Sequence, residues 1–386
     1  MESCIPQSTK IIKSKKPSWF NKSCNQAQKE KNSKFQLYRN NDCLENHLSY
    51  IKARNHYKTI INSSKQTFDS KIRNKIMSFP NNSKSFWSLT KLINQNFSNS
   101  LFPSLVTPHG SVISSSYEKA ELFAQQFATN STINPPNTQL PSIPKVNSRM
   151  RNIKFKSNHV HEILSKLKTN KATGPDQIPA IVLKKCAHEL SPVLTKLFQT
   201  SHSLGVFPSS WKIANIFPIP KKGSRKDPNN YRPIALLSVI SKVMEKYINI
   251  HILKYLESHN IIHDRQYGFR TRRSTADLLT YVTHLWNQSL ERHGESLIVA
   301  LDVSKAFDQV WHQALLNKLP SYGFPQKFCA WVANFLSNRY ISVIVDGSQS
   351  KSYPINAGVP QGSVLSSTLF LLHINDLLNV TKKLLT

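Results

Sequence analysis

Two strings near the end of the sequence constrain the fold most strongly: LIVALDVSKAFDQVWH (residues 297–312) and AGVPQGSVLSSTLF (residues 357–370). The first opens as a continuous apolar run that reads as a buried strand, residues 297–302, closing on Asp302. A carboxylate at the end of a buried strand is costly unless a cation sits on it. A divalent metal is one such partner, and an Asp that caps the following turn is the other reading. Six residues on, the neighbours of Asp308 suggest a helix start, where a carboxylate caps backbone N–H groups. The second string carries two glycines, which permit close backbone approach, and ends in an apolar stretch.

The remainder alternates helix, strand and turn in an α+β pattern. Residues 1–75 are rich in Lys and Asn with aromatic punctuation. The spacing Ile51, Tyr57, Ile61, Phe68, Ile72, Ile76 predicts one long amphipathic helix, packed on another element or tracking RNA with its basic face. A short helix is expected at SKSFWSLTKLI (residues 83–93) and another over Tyr117 to Ala128. Pro135, Pro136, Pro141 and Pro144 then mark a linker and domain boundary over residues 129–150. Beyond it, helices are expected from His159, over Ala180 to Leu204, over His312 to Leu319 and over Pro325 to Leu336. Strands are expected at WKIANIFPIP and at Tyr340 to Val345, the latter closed by the turn-prone pair Asp346-Gly347.

Charge narrows the partner. Lys and Arg outnumber Asp and Glu by 51 to 21, a net charge of +30. The excess runs the length of the chain, a field suited to a polyanion such as nucleic acid, whose neutralised phosphates release condensed counterions. The five cysteines show no CxxC spacing, which suggests neither a zinc site nor a disulfide framework. No apolar run approaches the roughly 20 residues that span a bilayer, and the N-terminus lacks the apolar core of a secretory signal. The expected setting is intracellular, nucleus or cytoplasm, without a membrane partner. The cluster KIIKSKK (residues 10–16) is compatible with nuclear import or with a solvated basic tail.

Taken together, DxxxAFD and GVPQGSVLS resemble motifs A and B of reverse transcriptases from retrotransposons that lack long terminal repeats. PIPKKG (residues 218–223), NYRPIALLS (residues 230–238), QYGFRTRRS (residues 266–274) and KATGPDQIP (residues 171–179) resemble further segments of that family in the same order. The resemblance implies the fingers and part of the palm of a right-hand polymerase over residues 151–386, preceded by a mostly helical basic region over residues 1–128. It implies that Asp302 binds catalytic Mg²⁺ or Mn²⁺, two ions in a complete enzyme, with the Val303 carbonyl assisting. Phe307, beside Ala306, would lie under the incoming sugar and exclude a 2′-hydroxyl. Lys221 and Arg232 would hold the triphosphate, and Gln361 the nucleotide. Gln266, Phe269, Arg270, Pro360 and Gly362 would contact template and primer. Gly174, Pro175 and Asp176 would shape a turn. The partners implied are an RNA template, a DNA primer or target, and dNTPs.

In this family the partner carboxylates stand on an Ala-Asp-Asp hairpin after motif B. After Asp376 the sequence given reads LLNVTKKLLT, without an acidic residue, and thumb segments are not seen. The expectation is therefore a truncated polymerase with little activity by itself, or a non-catalytic nucleic-acid-binding remnant. Ser367 and His373 depart from the family's usual proline and aromatic.

Overall fold

A computed structural model of the chain describes residues 17, 19–77, 102–107, 110–134, 139–141 and 143–377. The basic cluster at residues 10–16 and the helix expected at residues 83–93 lie outside the described residues. The chain divides into two compact units, Met1–Asn99 and Ser100–Thr386.

In the first unit the long helix expected from the Ile51 to Ile76 spacing forms within α2 (Leu44–Met77), and a separate helix, α1 (Lys22–Asn40), precedes it. Asn41 adopts an extended conformation (φ −142°, ψ 102°) that stops the helical path, and the chain reverses. Contacts pairing early residues with late ones show an antiparallel hairpin: Cys24 with Ser64, Phe35 and Tyr38 with Tyr50, and the Lys31 ammonium 5.1 Å from the Tyr57 ring. Much of the periodic aromatic signal thus serves helix-on-helix packing.

The second unit is mixed α and β. A two-stranded piece, β1 (Leu105–Val106) with β2 (Val112–Ile113), precedes α3 (Ser116–Asn130). The main sheet comprises β3 (Ile213–Pro220), β4 (Tyr231–Leu236), β5 (Arg339–Val345), β6 (Ser348–Gln349) and β7 (Tyr353–Ile355), in the order β4-β3-β5-β6 with β7 also on β5. β3 and β4 form an antiparallel hairpin, Ile216 opposite Ala235 and Ile219 opposite Arg232. β5 joins β3 in parallel, and the turn at Asp346 and Gly347 (φ 47° and 86°) returns it to β6. On one face, alternate residues Ala214, Ile216, Ala235, Ile341, Val343 and Val345 meet Ala120, Phe123, Ala124 and Phe127, one stripe of α3. The region expected to end a separate domain at residue 128 is therefore a layer of the sheet domain: α3 has its only large apolar stripe buried there, and the units divide at Asn99 and Ser100 instead.

A larger helical core is built from α4 (Ser157–Ser165), α5 (Ala180–Lys185), α6 (Ala187–Leu204), α7 (Val239–Ser258), α9 (His312–Lys318), α10 (Gln326–Leu336) and α11 (Ser366–Ile374), whereas α8 (Thr275–His293) is mostly exposed. Phe198, Tyr247, Trp331, Phe335 and Leu369 lie at its centre. The helix expected over Ala180 to Leu204 is interrupted at Cys186 (φ −97°, ψ 27°). The turn at Asp176 is structural, as expected: its carboxylate accepts from Ser238 Oγ, and Ser238 caps α7.

Two expectations around Asp302 fail. Residues 297–302 form no strand, and Leu297 and Leu301 are 94% and 88% exposed. A strand needs a ladder partner for its N–H and C=O groups, and no described strand lies beside this segment. Nor does Asp308 cap a helix, because residues 304–309 form a turn and α9 begins only at His312.

Two imidazoles with buried ring nitrogens make the fold acid-sensitive. His202 Nε2 and His373 Nδ1 have no hydrogen-bond partner among the described residues, and burial pushes both pKa values down to about 4 from 6.5. Between those values the unfolded chain binds protons that the folded chain does not. Stability therefore falls as pH drops from 6.5 toward 4, with a limiting slope of roughly 1.4 kcal/mol for each pH step of one and for each imidazole. Thermal melts across this range should show a falling midpoint, and His373→Leu should flatten part of the slope.

Candidate active site and its close backbone contacts

The segment around Asp308 and the glycine-rich loop meet directly. Val359 N–H donates to the Phe307 carbonyl (2.8 Å) and Gly358 N–H to the Val310 carbonyl (2.9 Å), while His312 Nε2 lies 2.6 Å from the Gly358 carbonyl. Gln361 Nε2 donates to Asp308 Oδ1 (2.7 Å). Burial pushes the Asp308 carboxyl up, and the Gln361 bond and the charges of Lys221 and Lys305 oppose the rise. Lys221, at the end of β3, is thus near enough to act on this junction. From the sheet side, Ala235 N–H of β4 donates to the Gln361 carbonyl (2.7 Å).

These contacts explain the glycines. Gly358 sits at φ 82°, and a Cβ there would stand 2.5 Å from the Asp308 carbonyl oxygen; Gly362 sits at φ 137°, and a Cβ there would stand 2.4 Å from the Ala235 carbonyl oxygen. The loop approaches protein backbone on both sides, a demand that only glycine meets.

The aromatic residues converge as well. Phe307 is half-buried, stacked on Phe370 (centroids 4.7 Å, 19°) and edge-on to Phe269 (5.8 Å, 76°). Phe269 is 57% exposed at φ 58°. Ala306, Pro360 and Gln361 are partly exposed and Gly362 is open to solvent, as are the side chains of Lys221 and Arg232 on the β3–β4 hairpin. Gln266 Nε2 donates to the Gly268 carbonyl within its own turn.

Arg270 is not free to reach phosphate. Its guanidinium donates through Nε and Nη2 to both oxygens of Glu257 (3.1 and 2.7 Å) and through Nη1 to the His263 carbonyl, and its side chain is 6% exposed. The pairing holds the Glu257 carboxyl below its usual range. Sequence pattern flags three arginines in this turn without showing which one faces inward. Arg272 is the exposed one, and Arg273 lies over Tyr267 at 5.1 Å.

Asp302 and Val303 are exposed, and the Asp302 carboxylate makes no hydrogen bond or ion pair to a described residue. Among the described residues no group of three His, Cys, Asp or Glu side chains could hold a metal ion. Mg²⁺ takes about six oxygen ligands, so these residues alone do not make a metal centre. Asp376 pairs with Lys318, its carboxylate 2.5 Å from Lys318 Nζ. No described helix is long and apolar enough to cross a membrane.

One residue escapes sequence reasoning. Glu245 of α7 is fully buried and accepts hydrogen bonds from Ser363 Oγ and from Val364 N–H (2.8 Å), just past the loop. A signal is present: Glu245 shares the buried stripe of Ser241, Ile248 and Ile252 on α7, where a carboxylate is out of place.

Residues 219–385 match the family described as Reverse transcriptase (RNA-dependent DNA polymerase). This region belongs to the reverse transcriptases and is similar to those of jockey-like, non-LTR elements. The RNA-directed DNA polymerase from mobile element jockey of Drosophila melanogaster is 31% identical over 280 residues, 70% of this chain and 30% of that protein. The jockey polymerase of Drosophila funebris is 35% identical over 221 residues, 57% of this chain and 24% of that protein. The probable RNA-directed DNA polymerase from transposon X-element of Drosophila melanogaster is 30% identical over 301 residues, 76% of this chain and 33% of that protein. The chain spans about a third or less of the length of these curated relatives. The mixed α and β architecture fits a reverse transcriptase fold.

The two arginine environments separate stability from binding. Arg270→Ala strands the Glu257 carboxylate and should cost about 2 kcal/mol in urea unfolding. Arg272→Ala should leave unfolding within about 0.5 kcal/mol of the parent. If reverse transcriptase template contacts lie in this turn, Arg272→Ala should instead lower affinity for an RNA–DNA duplex in titration.

Proposed function

We propose that the chain is part of an RNA-directed DNA polymerase of a non-LTR retrotransposon, with the β3–β4 hairpin as fingers and the residue 302–310 and 357–374 segments as part of the palm. The observation that carries this reading is the junction itself. Asp308, Gln361 and Ala235 come from three signature strings far apart in sequence, and hydrogen bonds of 2.7 Å join them at one point. Lys221 and Arg232 project from the hairpin that supplies Ala235, where a triphosphate bound against the loop meets two cations. Arg suits bidentate contact and Lys a point charge.

In the proposed reaction a primer 3′-hydroxyl attacks the α-phosphorus of a dNTP, forming a phosphodiester bond, with pyrophosphate as leaving group. The family generally uses divalent metal ions, and Asp302 is proposed as one carboxylate ligand. Phe307, pinned between Phe370 and Phe269, is the proposed steric gate. Its two ring contacts restrict its movement, which a residue that discriminates by exclusion requires. Gln361 is held by both its side chain and its carbonyl, so it would meet template or nucleotide with little freedom left to lose. The net charge of +30 supplies the sequence-independent attraction to RNA and DNA.

Titration of an RNA template annealed to a DNA primer onto residues 1–386 should give binding that weakens steeply with salt. In a polymerase that carries the segment, Asp302→Asn should abolish Mg²⁺-dependent primer extension while template–primer affinity stays within about twofold. Extension that survives Asp302→Asn, or a chain indifferent to the duplex at low salt, would overturn the reading.

A further inference from the structure

We propose that Glu245 is a positioning residue for the nucleotide and template loop: from α7 it fixes the Pro360-Gln361-Gly362 turn, although it lies far upstream in sequence and at the back of the site. The proposal rests on the polymerase reading of that loop.

The geometry is specific. One carboxylate oxygen, Oε2, accepts from Ser363 Oγ, from Val364 N–H at 2.8 Å and from Leu365 N–H at 3.4 Å. The other, Oε1, accepts from Ser241 Oγ at 2.6 Å, one turn back on α7. Glu245 is 0% exposed, so none of these bonds is shared with bulk water. Helix α11 begins immediately afterwards, and its N-cap, Leu365, offers no side-chain acceptor. Glu245 therefore does from another helix what a local Asp or Ser does at an ordinary helix start: it accepts N–H groups that would otherwise be buried unpaired, and it sets a negative charge at the positive end of α11.

Further bonds convert this anchor into a position for Gln361. Ser363 N–H and Ser366 Oγ both donate to the Pro360 carbonyl (3.0 and 2.8 Å), so the residues fixed by Glu245 close the turn on its other side. Ala235 holds the Gln361 carbonyl and Asp308 holds its side chain. The turn is thus held at three points, by β4, by the residue 304–309 turn and by Glu245 of α7. Of the three, only Glu245 is a buried carboxylate set against backbone N–H groups, the arrangement most expensive to break. The charged groups around it agree in sign. Glu245 raises the pKa values of both Lys242 and Arg339, opposing the lowering that burial imposes on each. Arg339 is 2% exposed with its Nη2 unpaired among the described residues, and the carboxylate offsets part of the cost of burying its charge.

The test compares Glu245→Ala, Glu245→Gln and Gln361→Ala with their double variants in residues 1–386. It reads template–primer affinity by anisotropy and amide exchange of residues 358–366 by mass spectrometry. Glu245→Gln keeps one oxygen for the loop and can donate its amide to Ser241 Oγ, so it should retain affinity within about threefold, whereas Glu245→Ala should lose about tenfold. In the Gln361→Ala background, Glu245→Ala should cost little more, because both changes act through one turn. Exchange should rise at residues 363–366 in Glu245→Ala and stay unchanged in β3 and β4. Should Glu245→Ala fail to fold, Ser363→Ala, which removes one donor without emptying the core, should show a smaller loss with the same non-additivity. Additive losses, or Glu245→Ala with parental affinity and exchange, would overturn the proposal. An unmodified chain that binds no duplex while Glu245→Ala still loosens residues 363–366 would instead defeat the polymerase reading and leave the anchor as a purely structural one.

Discussion

The structure around the loop at residues 357–365 depends on polar backbone groups buried where water cannot serve them. Each must find a partner, and the partners come from across the fold: β4, the turn before α9, α9 itself through His312, α7 through Glu245, and Ser131 just past α3. A buried N–H without an acceptor costs more than an ordinary hydrogen bond contributes, so the loop cannot shift unless several elements move with it. The glycines follow from the same constraint. With the carbonyl oxygens of Asp308 and Ala235 2.5 and 2.4 Å from where a Cβ would stand, the backbone has no room for any other residue.

That rigidity stands against the openness of the neighbouring residue 297–303 segment. Its apolar side chains face solvent, although their composition is that of an interior strand. Apolar side chains prefer burial, but a lone extended segment cannot obtain it, because each backbone group taken from water needs a ladder partner. The contrast places the candidate metal carboxylate, Asp302, on the least supported part of the site and the nucleotide loop on the most supported part.

How much of this is legible in the sequence differs residue by residue. β3, β5 with its Asp346-Gly347 turn, and the stripe of α3 are local patterns, and they appear where periodicity and turn chemistry put them. The spacing from Ile51 to Ile76 forms one helix, α2, as the period predicts, whereas the hairpin before it turns on one extended residue, Asn41, that no periodicity marks. Arg270 looks available to phosphate in the sequence because charge composition cannot show that Glu257, 13 residues earlier on α7, faces it. Glu245 is visible as a carboxylate in a buried stripe, yet nothing in the sequence says which N–H groups it meets.

The sequence by itself determined the family, through ordered motifs, and the polyanion-seeking charge, since neither depends on contacts distant in the chain. It also required glycine at two positions of the loop without showing why. Only the tertiary structure decided which arginine is structural, that α3 belongs to the sheet, that Asp308 serves Gln361 and not a helix start, and that Glu245 reaches the loop. The physical reason is common to all four: each rests on a pairing between groups made neighbours by packing, and the strength of such a pairing depends on burial, which no local pattern specifies.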